Sequence, residues 1–179
     1  MRNLFLFFLG FIFIFSSLSA TAATFTPTNA AQLQADLNTA AANGEVSNTI
    51  LLAANTVYST SGNGNSPFLY ASPNSSDLII TGAGQGSTLL DGGGISNVMH
   101  LSTVDGDIRV SHLTVQNGMT GDAAGISLET GSGELVLEHA ELKNNLNGST
   151  GGARIVSLSG NISVNNNVLV GNQGTSTNG

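Results

Sequence analysis

Asp107-Ile108-Arg109-Val110-Ser111-His112 aligns without a gap on Glu134-Leu135-Val136-Leu137-Glu138-His139, and that stretch aligns in turn on Asn161-Ile162-Ser163-Val164-Asn165-Asn166. The period is 27 residues. At the same offset Val115, Leu142 and Leu169 share a column, and Gly118, Asn145 and Asn172 share another.

The columns have a physical reading. Ile108/Leu135/Ile162 and Val110/Leu137/Val164 are two positions apart, so in a strand they lie on one face. The next apolar column, Val115/Leu142/Leu169, is five positions further on, and an odd step reverses the face unless the chain turns. A bend near His112/His139/Asn166 returns it to the interior. Strand, corner, second strand and Gly-rich return, recurring at a fixed period, describe one rung of a parallel β-solenoid. Like residues then stack on like, about 4.8 Å apart along the parallel ladder. An antiparallel sandwich or barrel would not require residues 27 apart to match in type.

Outward from the repeat, β-type runs at Ile50–Tyr58, Leu78–Thr81, Val98–Leu101, Ile108–Val115, Ile126–Leu128, Leu135–Leu142, Ile155–Leu158 and Ile162–Val170 are punctuated by Gly and Asn. The expected fold class is all-β, with residues 48–179 forming about five rungs, irregular in the first two. Residues 23–47 form an N-terminal capping segment. Its helix spans Asn29 to Ala42, with Asn29 as N-cap, Gln32 three positions on, and Asn43-Gly44 as the stop. That helix covers the first rung.

Residues 1–22 read as an export signal. Arg2 precedes the apolar run Leu4 to Phe15, and Ala20-Thr21-Ala22 supplies a small-x-small cleavage site at Ala22. Twelve apolar residues make a helix of about 18 Å, short of the roughly 30 Å hydrocarbon core. Export to the extracellular space or cell surface follows, with no transmembrane helix after signal removal. At the other end, Ile162–Val170 is a good strand run with no closing helix after it. This predicts a truncated stack lacking later rungs and any outer-membrane anchor, or else end-to-end association at the uncapped C-terminal edge.

Charge and composition narrow the function classes. Without Arg2 the chain has three basic side chains against eleven acidic ones, a net of −8. Nucleic acid is a poor partner for that balance. Absence of Cys excludes disulfides, thiolate chemistry and Cys-ligated zinc. Abundant Gly and Asn, which in isolation suggest disorder, supply the turn chemistry of the repeat.

The series Leu78-Ile79-Ile80-Thr81-Gly82, Leu90-Asp91-Gly92, Leu113-Thr114-Val115-Gln116-Asn117-Gly118 and Gly151-Gly152-Ala153 resembles right-handed parallel β-helix proteins of the pectin-lyase-like superfamily. The closer likeness is to polymorphic outer-membrane proteins and autotransporter-like adhesin passengers, which repeat Gly-Gly-Ala-Ile and Phe-x-x-Asn motifs. Here the second stands as Leu142-x-x-Asn145 and Leu169-x-x-Asn172. The first is degenerate, as Ala124-Gly125-Ile126 and Gly151-Gly152-Ala153-Arg154. The resemblance spans roughly Asn29 to Asn172. It implies a right-handed β-helix that binds an extracellular glycan or a host or cell-surface protein. It equally admits a fragment of a polysaccharide lyase or glycoside hydrolase, because the architecture hosts many functions.

Chemistry-bearing residues each have a plainer role beside a functional one. Asp105 and Asp107 could offer oxygen ligands to Ca²⁺, but Asp-Gly is a turn sequence, and two carboxylates fall short of calcium's usual six to eight ligands. Glu138 and Glu141 flank the corner at His139 and could face a sugar; isolated surface glutamates are mostly solvated. Arg109 and Arg154 sit in different columns, and a lyase base at either is unsupported. His112 and His139, one rung apart, could share a metal, yet Asn166 in their column favours a structural ladder. Asn117, Asn144, Asn145, Asn166 and Asn172 are expected as turn formers or amide ladders. The outward column Arg109/Val136/Ser163 lacks the flat Thr array of an ice-binding face. Sequons begin at Asn74, Asn147 and Asn161. No catalytic residue and no cofactor other than that calcium is expected.

Overall fold

The computed structural model describes residues 21–175. The apolar run of the expected signal therefore lies outside the described residues. Ala22, the expected cleavage position, opens strand β1 (Ala22–Phe25), which is followed by helix α1 (Ala30–Ala42), β2 (Ser47–Leu51), β3 (Thr56–Ser59) and β4 (Phe68–Ser72). Next come β5 (Asp77–Thr81), β6 (Thr88–Asp91), β7 (Met99–Thr103), β8 (Ile108–Ser111), β9 (Thr114–Gln116) and β10 (Ile126–Thr130). The last strands are β11 (Leu135–Glu138), β12 (Glu141–Lys143), β13 (Leu146–Gly148), β14 (Ala153–Ser157), β15 (Ile162–Asn165), β16 (Val168–Val170) and β17 (Gln173–Gly174).

The described chain is mostly β, with one α-helix and three larger sheets in which every pairing is parallel. The first sheet runs β1-β2-β5-β8-β11-β15, the second β16-β12-β9-β6-β3 and the third β14-β10-β7-β4; β13 and β17 form a small fourth. The chain visits first, second and third sheet in turn and then returns to the first. This circuit is compatible with a parallel β-helix. In the later circuits, bonded residues are 27 positions apart, as Leu135 with Ile108 and Ile162. Between β5 and β8 the offset is 30.

Two of the corners explain why long apolar runs split. Ile108–Val115 breaks at His112 and Leu135–Leu142 at His139, where φ is +56° and +49°, and Asn166 repeats the turn at +54°. A single left-handed residue redirects the strand, so both flanking apolar columns face inward. Ile50–Tyr58 splits for the same reason at Asn55, φ +53°. Strands β1, β4, β6, β13 and β17 lie outside the expected runs.

Helix α1 starts where its cap chemistry places it. The Asn29 side chain accepts from the Gln32 N–H at 2.9 Å, and the Gln32 side-chain Oε1 accepts from the Thr28 N–H at 3.1 Å. Leu33 and Leu37 are fully buried against the first circuit. The helix also closes a sheet edge: the Gln34 amide donates to Leu69 O and accepts from Leu69 N–H, both at 2.8 Å, as a neighbouring strand would. Strand β1 covers β2, and Tyr58 donates its hydroxyl proton to Pro27 O at 2.7 Å.

The core is the stack of inward columns. Ile108, Leu135, Val115 and Leu142 are fully buried, whereas the residues continuing those columns, Ile162 and Leu169, are 48% and 63% exposed. Leu135→Ala should therefore cost about 2–5 kcal/mol, while Ile162→Ala should cost less than half as much; urea unfolding of the two variants measures the contrast.

Asp36 on α1 is half-buried, with Oδ2 buried and lacking a hydrogen-bond partner among the described residues, and burial raises its carboxyl above the usual carboxylate range. A folded-state value above the unfolded one favours folding below the unfolded value, and the advantage is lost as pH rises through the folded one. Asp36→Asn is accordingly expected to raise the denaturation midpoint at neutral pH and leave it unchanged in acid; thermal melts at the two pH values check this.

Candidate functional site

The residues singled out in the sequence fall into a corner ladder and a set of outward carboxylates. At the first corner the His112 and His139 rings stack with centroids 4.9 Å apart and planes 9° from parallel, and the Asn166 amide lies 3.4 Å from His139 Nε2. Parallel rings present their lone pairs side by side rather than converging on a point, so the stack is built as a ladder.

The asparagines form a more deeply set ladder. Asn145 is fully buried; its Oδ1 accepts from Gly118 N–H at 2.9 Å, and its Nδ2 donates to Val115 O at 3.1 Å and Asn172 Oδ1 at 2.9 Å. Asn172 repeats the pattern one circuit on, accepting from Asn145 N–H at 3.1 Å and donating to Leu142 O at 2.7 Å. Asn167, absent from the expected ladder, does the same at the first corner: it accepts from Ala140 N–H at 2.8 Å and donates to Leu137 O at 2.7 Å. Each amide fills the place of a backbone peptide where the strand ladder is interrupted. Gly118 has to be glycine in this packing, since a Cβ there would lie 1.8 Å from Ala124 O.

The carboxylates are engaged between circuits. Asp107 Oδ1 accepts from Glu134 N–H at 2.7 Å, and Asp105 Oδ1 accepts from the Ser132 hydroxyl at 2.9 Å. One oxygen of each thus accepts a bond from the following circuit, and the two carboxylates supply fewer oxygens than the six to eight of a usual calcium shell. Among the described residues no group of three or more His, Asp or Glu side chains is placed to hold a metal ion. Glu138 pairs with Arg109 at 2.6 Å. Glu141 accepts from the Thr114 hydroxyl at 3.0 Å and faces Lys143 Nζ at 3.3 Å.

A polar cluster on the outer face of the third sheet was not singled out in the sequence. Glu129 Oε1 pairs with Arg154, accepts from the Ser127 hydroxyl at 3.0 Å and lies 3.8 Å from His100 Nε2. His100, Ser127 and Arg154 stand in one strand register across β7, β10 and β14. The 27-residue period would have found this column, had it been extended to the third strand of the repeat. Ser127 donates to the carboxylate, itself paired with Arg154, rather than to the imidazole.

The lateral faces are shallow. A depression of about 100 Å³ on the first sheet is lined by Asp77, Asp107, Arg109 and Glu134 among others. A wider groove of about 510 Å³ runs between α1 and β4, past Asn38, Leu69 and Pro73. No protein-family model, curated protein or solved structure matches the chain.

Asn145→Ala should lower stability by about 1–3 kcal/mol, because it leaves Gly118 N–H buried without a partner. Asn144→Gly, at a position with φ +53°, should be neutral or slightly stabilising. Chemical denaturation of both variants separates the buried amide's role from that of the turn residue.

Proposed function

We propose that the chain is an exported, right-handed parallel β-helix of about 27 residues per rung, part of a surface or secreted adhesin-like protein. It binds an extracellular glycan or a cell-surface protein through its lateral faces and performs no catalysis of its own. Parallel strands joined by crossovers are right-handed in about 98% of cases, which favours that hand. Registers 27 apart in the later circuits support the rung length.

One observation carries the functional half of this reading. Five of the carboxylates that could do acid–base work are engaged: Glu138 with Arg109, Glu141 with Thr114 and Lys143, Glu129 with Arg154, Asp105 with Ser132, and Asp107 with the Glu134 amide. A glycosidase needs two carboxylates facing one another across a sugar, one of them held protonated. Here the negative charges serve to tie one circuit to the next, leaving broad faces with shallow relief. Such faces suit extended polymers or protein surfaces better than a small, enclosed substrate.

Incubation with acidic polysaccharides, with and without Ca²⁺, is expected to release neither reducing ends nor unsaturated products, and Glu138→Gln and Asp105→Asn should leave polysaccharide binding unchanged. Cleavage that disappears in either variant would replace this reading with that of a polysaccharide-active enzyme.

A further inference from the structure

The three lateral faces differ in charge. On the first sheet Arg109 stands among four carboxylates, Asp77, Asp107, Glu134 and Glu138, and on the second Lys143 stands with Asp91 and Glu141. On the third, Arg154 and His100 share the outer face with Glu129 alone. Asp105 and Asp122 stand at the corners on either side of it rather than on its strands. Among the described residues it is thus the one lateral face whose cationic groups are not outnumbered. Outward side chains point across the axis of the stack, so circuits above and below leave them accessible.

The relief of that face is apolar around a charged centre. Beside β4 the groove of about 510 Å³ is lined by Leu69, Ala71 and Pro73 together with Ala41 and Ala42 of α1. A second depression, of about 330 Å³, lies at the C-terminal ends of β7, β10 and β14, where Val104, Val156 and Leu158 line it with Ser102 and Glu129. The outward column Ala71-Ser102-Glu129-Val156 runs from one to the other. Leu69 and Val104 are 46% and 50% exposed. In the centre Arg154 spends one N–H on Glu129, and the rest of its five-donor fork has no partner among the described residues. The outward positions of these strands hold no Phe or Tyr on which a sugar ring would stack. Arginine beside exposed apolar side chains is instead the composition of protein interfaces.

Granting that the chain binds through its lateral faces, as proposed above, we infer that the outer face of the third sheet is a protein-docking site. It takes an extended partner segment that presents one carboxylate side chain between two apolar ones. The carboxylate meets the unspent N–H groups of Arg154, whose fork matches it, with His100 alongside. The apolar side chains enter the depressions at Leu69 and Val104. Side chains two apart share a face of an extended chain, so the segment reads apolar-x-acidic-x-apolar. Four residue steps of such a chain cover about 13 Å, comparable to the roughly 14 Å that three strand spacings place between β4 and β14. Glu129 holds Arg154 in place and also competes for it.

Selection of a displayed library of random short peptides on the whole chain, followed by fluorescence anisotropy of the selected peptides, tests the inference. The selected sequences are expected to share an acidic residue flanked by apolar ones at a spacing of two. Arg154→Gln should weaken their binding about tenfold or more, and Leu69→Ser about fivefold. Glu129→Gln keeps an acceptor for the Ser127 hydroxyl but removes the competing charge, and should tighten binding severalfold, a gain that misfolding does not produce. Arg109→Gln, which removes the same charge from the first sheet, should change it less than about twofold. No selected peptide, selected peptides without an acidic residue, or equal losses in Arg154→Gln and Glu129→Gln would overturn the inference. So would an acidic polysaccharide that binds through Arg154 where no peptide does, although binding through a lateral face would then stand. Cleavage of that polysaccharide would remove both.

Discussion

Every strand in the three larger sheets finds its hydrogen-bond partners in a strand one circuit away, and this separation governs the rest of the structure. No strand can satisfy its backbone locally, as a hairpin does with a short loop. Each new circuit closes a loop of 25 to 32 residues before its contacts form. That entropic cost is offset only if the whole circuit docks in register, with strands, corners and interior side chains engaged together. Residues therefore match their neighbours above and below more closely than their neighbours along the chain.

The same constraint sets the polar chemistry. Where the chain turns between sheets the strand ladder lapses, and buried peptide groups need substitutes. Asn145, Asn167 and Asn172 provide them with side-chain amides, which carry the donor and acceptor of a peptide unit on a short stem. Asn also tolerates the left-handed backbone of tight corners, so a single residue type meets both demands. Charged residues are scarce, and Glu138, Glu141 and Glu129 are met by Arg109, Lys143 and Arg154, while Asp77, Asp107 and Glu134 follow one another in one column, Asp77 and Asp107 each accepting the next residue's backbone N–H.

Legibility in the sequence followed the regularity of the stack. From Ile108 onward the columns are uniform in type, and the period, the inward faces and the corner at His112/His139 can be read directly. The earlier circuits carry insertions. The turn at Thr60–Asn63, followed by Pro67, lengthens the path from β3 to β4, so the offset from β3 to β6 is 32 rather than 27 and simple alignment fails there. Phe68–Ser72, a β-type alternation of five residues, was obscured by the polar stretches on both sides. Strand β1 was hidden differently, because Ala22 reads naturally as the end of an export signal. Among site residues, the corner histidines and Asn145/Asn172 were visible through their columns. The Glu129 cluster was not, since its members are separated by two strands in each repeat and look like isolated polar residues.

The stack also implies a gradient of stability. An interior side chain such as Leu135 has a like neighbour on both sides, Ile108 and Ile162, whereas Ile162 has one among the described residues. In a structure whose units contact only their neighbours, free energy is approximately a sum of unit and interface terms, and a unit with one interface opens first. The closed end compensates with α1 and the peptide-like amide of Gln34, which supply the missing interface from outside the repeat.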